Sequence, residues 1–285
     1  DIIHAHLYFP AVSTALARLL RLTKDKTCVT FHNLAYSGAN HNGFKLRLRK
    51  ALARRLYARG MDARLAVSRA VADHYHEALS LNCVSVLYNP IDLAAIEAVP
   101  TAARAPDAPV HILWPGRLVP EKGHRDLLEA LRDPRLTGLA LTITFAGRGK
   151  LQSALQELSA DLPFPLTITG NLDHRTFLGV MAGADIVVVP SRFEGFGLTA
   201  LEAMCLSKPV IASTAGGLPE VLRDTGRLVQ TGDVVAIANA IYELAGDPGL
   251  RDTIGREARA RAEAEFELPT IAARLIKTYE SLVPG

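Results

Sequence analysis

The feature that most constrains this chain is alternation. Short apolar runs of strand length are separated, from one end to the other, by segments of helix length, the pattern of βα units around parallel sheets. In the first part the strand-like runs are Ile2–His4, Cys28–Phe31, Leu65–Val67 and Val84–Tyr88, with helical patterns over Ala11–Leu22, Phe44–Arg59 and Arg69–Leu79. An aperiodic stretch rich in Ala and Pro, Val99–Pro109, follows and has the character of a linker. A second series then opens at His111–Trp114 and continues through Leu141–Phe145, Leu166–Thr169, Ile186–Val189, Val210–Ala212 and Arg227–Val229. The tail from Val234 to Leu282 is predicted helical with one break, at Pro269. Two Rossmann-like sheets are expected, and 285 residues suit two cores better than one.

Composition narrows the function. Apolar residues make up 49% and charged residues 21%, enough to bury parallel sheets on both faces, and the net charge of +3 does not argue for nucleic acid. Cys28, Cys83 and Cys205 are odd in number and far apart, which disfavours a disulfide framework or zinc site and fits a reducing cytoplasm. No apolar run approaches the roughly 20 residues that span a bilayer, and no secretory-signal pattern is present.

Polar residues recur at the carboxyl ends of the strands, where open parallel sheets bind ligands. After His111–Trp114 comes Gly116-Arg117-Leu118-Val119-Pro120-Glu121-Lys122-Gly123, two cations in a glycine-bounded loop that opens a helix. After Ile186–Val189 comes Pro190-Ser191-Arg192-Phe193-Glu194-Gly195-Phe196-Gly197, which opens another. The two loops are expected on one sheet edge, facing one crevice. Gly195 and Gly197 admit close backbone approach, and the free amides of the following helix make an anion site. Glu202 lies about 7 Å along that helix axis, a spacing suited to ribose hydroxyls when the helix tip holds phosphates. Glu194, before the tip, would meet sugar hydroxyls on the other side of the diphosphate. The alternative is a Glu194 that only complements the helix dipole and a solvated Glu202. Yet the helix, Leu198-Thr199-Ala200-Leu201-Glu202-Ala203-Met204-Cys205-Leu206, is apolar nearly all round, and a carboxylate there needs a partner.

Glu194 and Glu202, inside PSRFEGFGLTALEAM, form an E-x7-E element that resembles that of the retaining GT-B glycosyltransferases of family 4. The likeness extends through GRLVPEKG, FAGRGKLQ, KPVIASTAGGLPEVL and GRLVQTGD, and spans nearly the whole chain. It implies an α/β GT-B fold, two Rossmann-like α/β/α domains facing an interdomain cleft: an acceptor-side domain over residues 1–105, a donor-binding domain over 106–268, and a helix over 269–285 packing back on the first. In such enzymes Arg117 and Lys122 would bind the donor diphosphate, Glu194 the transferred sugar and Glu202 the ribose. His6, in His4-Ala5-His6, would reach the donor sugar. His6, Arg117, Lys122 and Glu194 are the expected catalytic set. Gly116, Gly147, Gly170, Leu172, Gly195, Phe196, Gly197, Leu198 and Thr199 complete the donor site, with Gly170–Leu172 and His6 shaping specificity. Relatives begin with further βα units, so roughly 60–80 residues are expected before the His4-Ala5-His6 segment.

The reaction so implied moves a sugar from a nucleotide-diphosphate donor to an acceptor hydroxyl with retention, in cell-surface polysaccharide or glycolipid synthesis. No Asp-x-Asp element occurs in the sequence, so no metal or other cofactor is expected; Arg117, Lys122 and the helix tip would carry the electrostatic task. Two rivals share the architecture: a non-hydrolysing sugar-nucleotide epimerase, and a donor-binding module without catalysis.

Three weaker signals remain. Gly147-Arg148-Gly149 hints at a dinucleotide fingerprint, but Gln152 stands where the third Gly belongs, so lining the donor pocket is preferred. His32, at a strand end, faces the cleft or makes a structural hydrogen bond; His74 and His76, two apart on a helix, do not share a face. Phe44–Arg69 holds nine basic residues against one acid, Asp62, and Phe44, Leu48, Leu52 and Leu56 form a stripe expected to pack on the sheet. The outer face is either merely solvated or a patch for anionic lipid or a phosphorylated acceptor, which would make the protein peripheral at the inner membrane surface.

Overall fold

The computed structural model describes residues 1–36, 43–100, 105 and 107–283, with the backbone alone at Phe44 and Lys45. Parts of the expected linker, the 105/106 boundary, the last two residues of the expected 269–285 segment, and the Phe44 and Lys45 side chains of the stripe and basic run lie outside the described residues. The chain divides into two compact units. One comprises Asp1–Pro90, Glu194–Phe196 and Leu268–Gly285; the other comprises Ile91–Phe193 and Gly197–Glu267.

The first unit holds four parallel strands in sequence order, β1 (Ile2–His6), β2 (Lys26–Phe31), β3 (Ala63–Ala66) and β4 (Val84–Val86). Helices α1 (Tyr8–Leu19), α2 (Phe44–Gly60) and α3 (Arg69–Leu79) connect them. Ser68 caps α3, its hydroxyl accepting from the Val71 amide at 3.1 Å. The face that α2 buries corrects the sequence reading. Ala53, Leu56, Tyr57 and Gly60 are buried, whereas Leu48 and Leu52 are 61% and 55% exposed. A strict four-residue spacing advances about 40° per step on a 3.6-residue helix, so the stripe winds off the packed face, which follows i, i+3, i+4, i+7.

Residues Ile91 to Val99 belong to the second unit although the sequence reading gave them to the first domain. Helix α4 (Leu93–Glu97) is held there by an ion pair between Glu97 and Arg259, and the Ile91 amide donates to the Phe266 carbonyl at 2.9 Å. The sheet of this unit contains β5 (Val110–Pro115), β6 (Leu141–Ala146), β7 (Leu166–Ile168), β8 (Ile186–Val189), β9 (Val210–Ser213) and β10 (Arg227–Val229), in the order β10-β9-β8-β5-β6-β7. β8 and β9 are buried at every residue, as continuous apolar runs covered on both faces must be. After β7 the chain returns to the other side of β5, so β5 and β8 flank a topological switch point. Helices α5 (His124–Ala130), α6 (Gln152–Ser159), α7 (His174–Ala182), α8 (Leu198–Cys205) and α9 (Leu218–Leu222) follow the strands.

The tail breaks twice, not once. α10 (Val234–Gly246), α11 (Pro248–Phe266) and α12 (Leu268–Leu282) are separated at Asp247 and Glu267. Asp247 caps α11 by accepting from the Leu250 amide at 2.9 Å, with Pro248 at the first helical position. Pro269 sits inside the first turn of α12, where its missing N–H costs no bond. Among the described residues no helix is long and apolar enough to cross a membrane.

Candidate functional site

The switch point of the second unit opens into a cavity of about 920 Å³. Gly116, Arg117, Gly147 and Thr199 line it together with Arg148, Lys150, Asn171 and Phe177. Two strand-end loops make its floor. The Gly116 amide donates to the Ala146 carbonyl at 3.0 Å and the Leu118 amide to the Arg148 carbonyl at 2.9 Å, which zips residues 116–118 to 146–148. Gly147 sits at φ +157°, and a Cβ there would lie 1.8 Å from the Gly116 carbonyl oxygen. The Gly147-Arg148-Gly149 element therefore exists to let two backbones touch, and it carries two more cations, Arg148 and Lys150, to the cavity. Arg148 falls in the element expected to line the donor pocket, whereas Lys150 was not anticipated as a site residue.

Lys122 packs its Cγ near Gly116, and its carbonyl accepts from the Trp114 indole N–H at 3.3 Å, tying the turn to the core. The start of the other loop is strapped to that turn. Arg192 grips the buried Asp126 carboxylate with two donors, Nε at 3.1 Å and a terminal nitrogen at 2.7 Å. The Arg192 amide also donates to the Glu121 carbonyl at 2.8 Å. A bidentate pair fixes both distance and orientation. Sequence reasoning missed it, since 66 positions separate the partners.

Gly197, Leu198, Thr199 and Glu202 occupy the cap and body of α8. Glu202 is 9% exposed and does have a partner: its carboxylate lies 2.8 Å from Nε2 of His174, at the start of α7. Burial raises the Glu202 pKa above the usual carboxylate range, and the His174 contact opposes the rise. The only signal for His174 in the sequence was its place after Asp173, which caps α7. Gly170 and Leu172 flank the cavity-lining Asn171.

The remaining predicted site residues belong to the first unit. Glu194, Gly195 and Phe196 group there; the Ser68 hydroxyl donates to the Gly195 carbonyl at 2.7 Å, and the Phe196 ring lies 5.8 Å from that of Tyr88. His6 ends β1, exposed, with Nδ1 2.9 Å from Nε2 of His32 beyond the end of β2. His32 thus makes a hydrogen bond to the residue singled out for catalysis. Leu7, next in the chain, has φ 67° and ψ 172°, a backbone region that side chains rarely occupy. His4 stacks on His6 with centroids 4.3 Å apart, and its two nitrogens meet the Tyr279 hydroxyl at 2.6 Å and the Thr30 hydroxyl at 2.8 Å.

Burial, then the neighbouring charges of His6 and His32, hold the His4 pKa down to about 4. The folded state therefore binds fewer protons at His4 than the unfolded chain between pH 6.5 and about 4. Stability from this group is complete above pH 6.5 and declines as pH falls through that window. His4→Gln, which keeps hydrogen-bonding capacity without a charge, should flatten the fall in melting temperature between pH 6.5 and 4. An unchanged slope would show that other groups govern the acid limb.

His74 and His76 are used structurally: His74 Nε2 accepts from the Tyr36 amide at 3.1 Å, and His76 Nδ1 lies 3.1 Å from the Leu81 carbonyl. Among the described residues no group of three His, Cys, Asp or Glu side chains is arranged to hold a metal.

Two parallel sheets, one with cationic strand-end loops at its switch point, define a GT-B glycosyltransferase architecture. The chain belongs to the group 1, family 4 glycosyltransferases: residues 109–247 match the model described as glycosyl transferases group 1, and residues 1–95 match glycosyltransferase family 4. It is 32% identical over 293 aligned positions to the glycogen synthase of Mycobacterium tuberculosis, covering 98% of this chain and 68% of that protein. It is also 32% identical over 173 positions to the GDP-mannose-dependent monoacylated alpha-(1-6)-phosphatidylinositol monomannoside mannosyltransferase of Corynebacterium glutamicum, covering 58% of this chain and 45% of that one. Among solved structures, Anabaena HepE in complex with UDP superposes with a TM-score of 0.82 at 24% identity, over 99% of this chain and 79% of that chain, a likeness of fold.

Proposed function

We propose that the protein transfers a sugar from a nucleotide-diphosphate sugar to an acceptor hydroxyl, with retention of anomeric configuration and without a metal ion. The observation that carries this reading is the cavity at the β5/β8 switch point. It is large enough for a nucleotide sugar, and Arg117, Arg148 and Lys150 line it together with Thr199 from the first turn of α8. Cleaving a glycosyl–phosphate bond leaves negative charge on the departing diphosphate. Fixed cations and the free amides that open α8 oppose that charge without reorganising. Glu202, buried beside His174, supplies an acceptor for ribose hydroxyls; Glu194 is assigned to the transferred sugar and His6 to the same centre. Relatives named for glycogen and phosphatidylinositol mannoside synthesis support a role in polysaccharide or glycolipid assembly.

A thermal-shift panel of UDP-, GDP- and ADP-sugars should give one clear stabilised case. Turnover with that donor should survive excess chelator and yield product with the donor's anomeric configuration. Strict dependence on added Mg²⁺ or Mn²⁺ would overturn metal independence, and conversion of the donor without any acceptor would replace transfer by epimerisation.

The exposed face of α2 carries Arg47, Arg54, Arg55 and Arg59 beside exposed Leu48 and Leu52. We assign it to anionic lipid at the inner membrane surface, where each basic residue near the surface contributes about 1 kcal/mol. Co-sedimentation with phosphatidylserine vesicles should exceed that with phosphatidylcholine vesicles; equal recovery removes the assignment.

A further inference from the structure

Helices α7 and α8 each contribute one residue to the wall of the large cavity in the second unit, Phe177 from α7 and Thr199 from α8. Residues three apart on a helix share a face. His174 therefore stands on the Phe177 side of α7 and Glu202 on the Thr199 side of α8, where Nε2 of the one and Oε1 of the other lie 2.8 Å apart. The His174 ring runs nearly parallel to that of Phe177, with 21° between the planes and centroids 6.4 Å apart. Asp173 fixes the turn that His174 opens, its carboxylate accepting from the Thr176 amide at 2.9 Å.

Three observations give His174 a task beyond joining two helices. Glu202 is a buried carboxylate, and among the described residues His174 is the one side chain hydrogen-bonded to it. Its neighbours along α8, Leu201, Ala203 and Met204, are buried and offer no donor that could hold the carboxylate in one rotamer. Second, burial favours the neutral acid, and the imidazole opposes that push. An ionised carboxylate only accepts hydrogen bonds, so Nε2 carries the shared proton and the contact favours the charged form, the stronger acceptor for hydroxyls. Third, the contact takes Oε1 alone. A carboxylate has about four acceptor sites, which leaves Oε2 and the remaining lone pairs for a ligand.

We propose that His174 is a positioning residue for donor binding: it pins the Glu202 carboxylate through one oxygen and so presents the other to the ribose hydroxyls of the nucleotide. The proposal rests on the nucleotide-sugar reading for the assignment of Glu202 to ribose. Without the imidazole the carboxylate has two escapes, to take up a proton or to turn away. Either one forfeits the ribose hydroxyls and leaves the contacts to the diphosphate as they were.

The test is calorimetric and uses the full chain, first with UDP, GDP and ADP and then with the 2′,3′-dideoxy form of whichever binds most tightly. The parent protein is expected to favour the hydroxylated nucleotide by at least about tenfold, since bonds to a charged acceptor go with the hydroxyls. His174→Ala should cut this preference to within about threefold and leave affinity for the dideoxy nucleotide unchanged. His174→Gln, whose amide donates from a similar position, should keep most of it. Glu202→Ala should abolish the preference by itself, and adding His174→Ala to it should change nothing more. Both nucleotides are measured on the same folded protein, so a change in stability does not move their ratio. Under turnover, His174→Ala should raise the donor KM and spare kcat, because the ribose is held alike before and during bond cleavage. A histidine that only ties α7 to α8 predicts that His174→Ala weakens both nucleotides together. That result, a preference kept in His174→Ala, or a preference absent from the parent would each overturn the proposal. Sugar transfer separates it from the reading beneath it. A preference lost in His174→Ala, in a protein that binds nucleotide but transfers no sugar, would keep the positioning role and remove the transferase; transfer with the preference untouched would do the opposite.

Discussion

Arg117→Gln is expected to lower kcat by about 10²–10³-fold, the usual cost of removing one preorganised donor from a site of developing negative charge. Arg117 lines the large cavity from the loop after β5, exposed, so its loss leaves the core intact. Melting temperature should therefore hardly move while turnover collapses. The loss should appear mainly in kcat, because charge on the diphosphate grows as the glycosyl bond breaks and the ground state gains less from the cation. Steady-state kinetics with the donor found in the nucleotide panel, run beside a melting curve, decide it. A variant that keeps parental kcat would remove Arg117 from the chemistry.

Gly147→Ala should be among the most damaging single methyl groups that can be added to the second unit. The Cβ would lie 1.8 Å from a backbone oxygen, that of Gly116, and at φ +157° an alanine is strained even with room to spare. Backbone strain of this kind costs about 1–3 kcal/mol on its own. The collision adds to it, because neither loop can retreat without breaking the two backbone hydrogen bonds that zip residues 116–118 to 146–148. Urea denaturation should show a lower midpoint at constant slope, equivalent to a stability loss of at least about 2 kcal/mol, and nucleotide binding should be lost with it. An alanine variant as stable as the parent would mean that the loops part more easily than their hydrogen bonding suggests.

Strand positions were the most legible part of the sequence. β8 falls on Ile186–Val189, residue for residue, because a strand buried on both faces must be an unbroken apolar run. Strand-end loops were legible too, since the glycine or proline that follows each such run ends the strand there. What escaped were contacts between side chains distant in sequence. His174 is an ordinary exposed histidine until α7 and α8 place it on Glu202. The Arg192–Asp126 pair is likewise silent in one dimension, although each residue stands within or beside a motif already singled out. The stripe on α2 failed for a different reason: a spacing of four mimics helical period over two turns and drifts away over four. The tail failed at Pro269 because proline marks a helix start as readily as an interruption, and only the Glu267 backbone decides which.

The torsion at Leu7 ties the aim of an imidazole to the seating of a helix. Its side chain is 61% exposed, so packing of the leucine cannot be what holds φ at 67°; the constraint comes from either side, from the parallel pairing of β1 and from the Ala11 amide donating to the Leu7 carbonyl at 3.2 Å. Letting that residue relax would swing the peptide plane after His6 and unseat the first turn of α1 in the same movement. The His6 ring is therefore not steered by its own rotatable bonds alone: it shares one mechanical linkage with twelve residues of helix, and re-aiming it means moving them all.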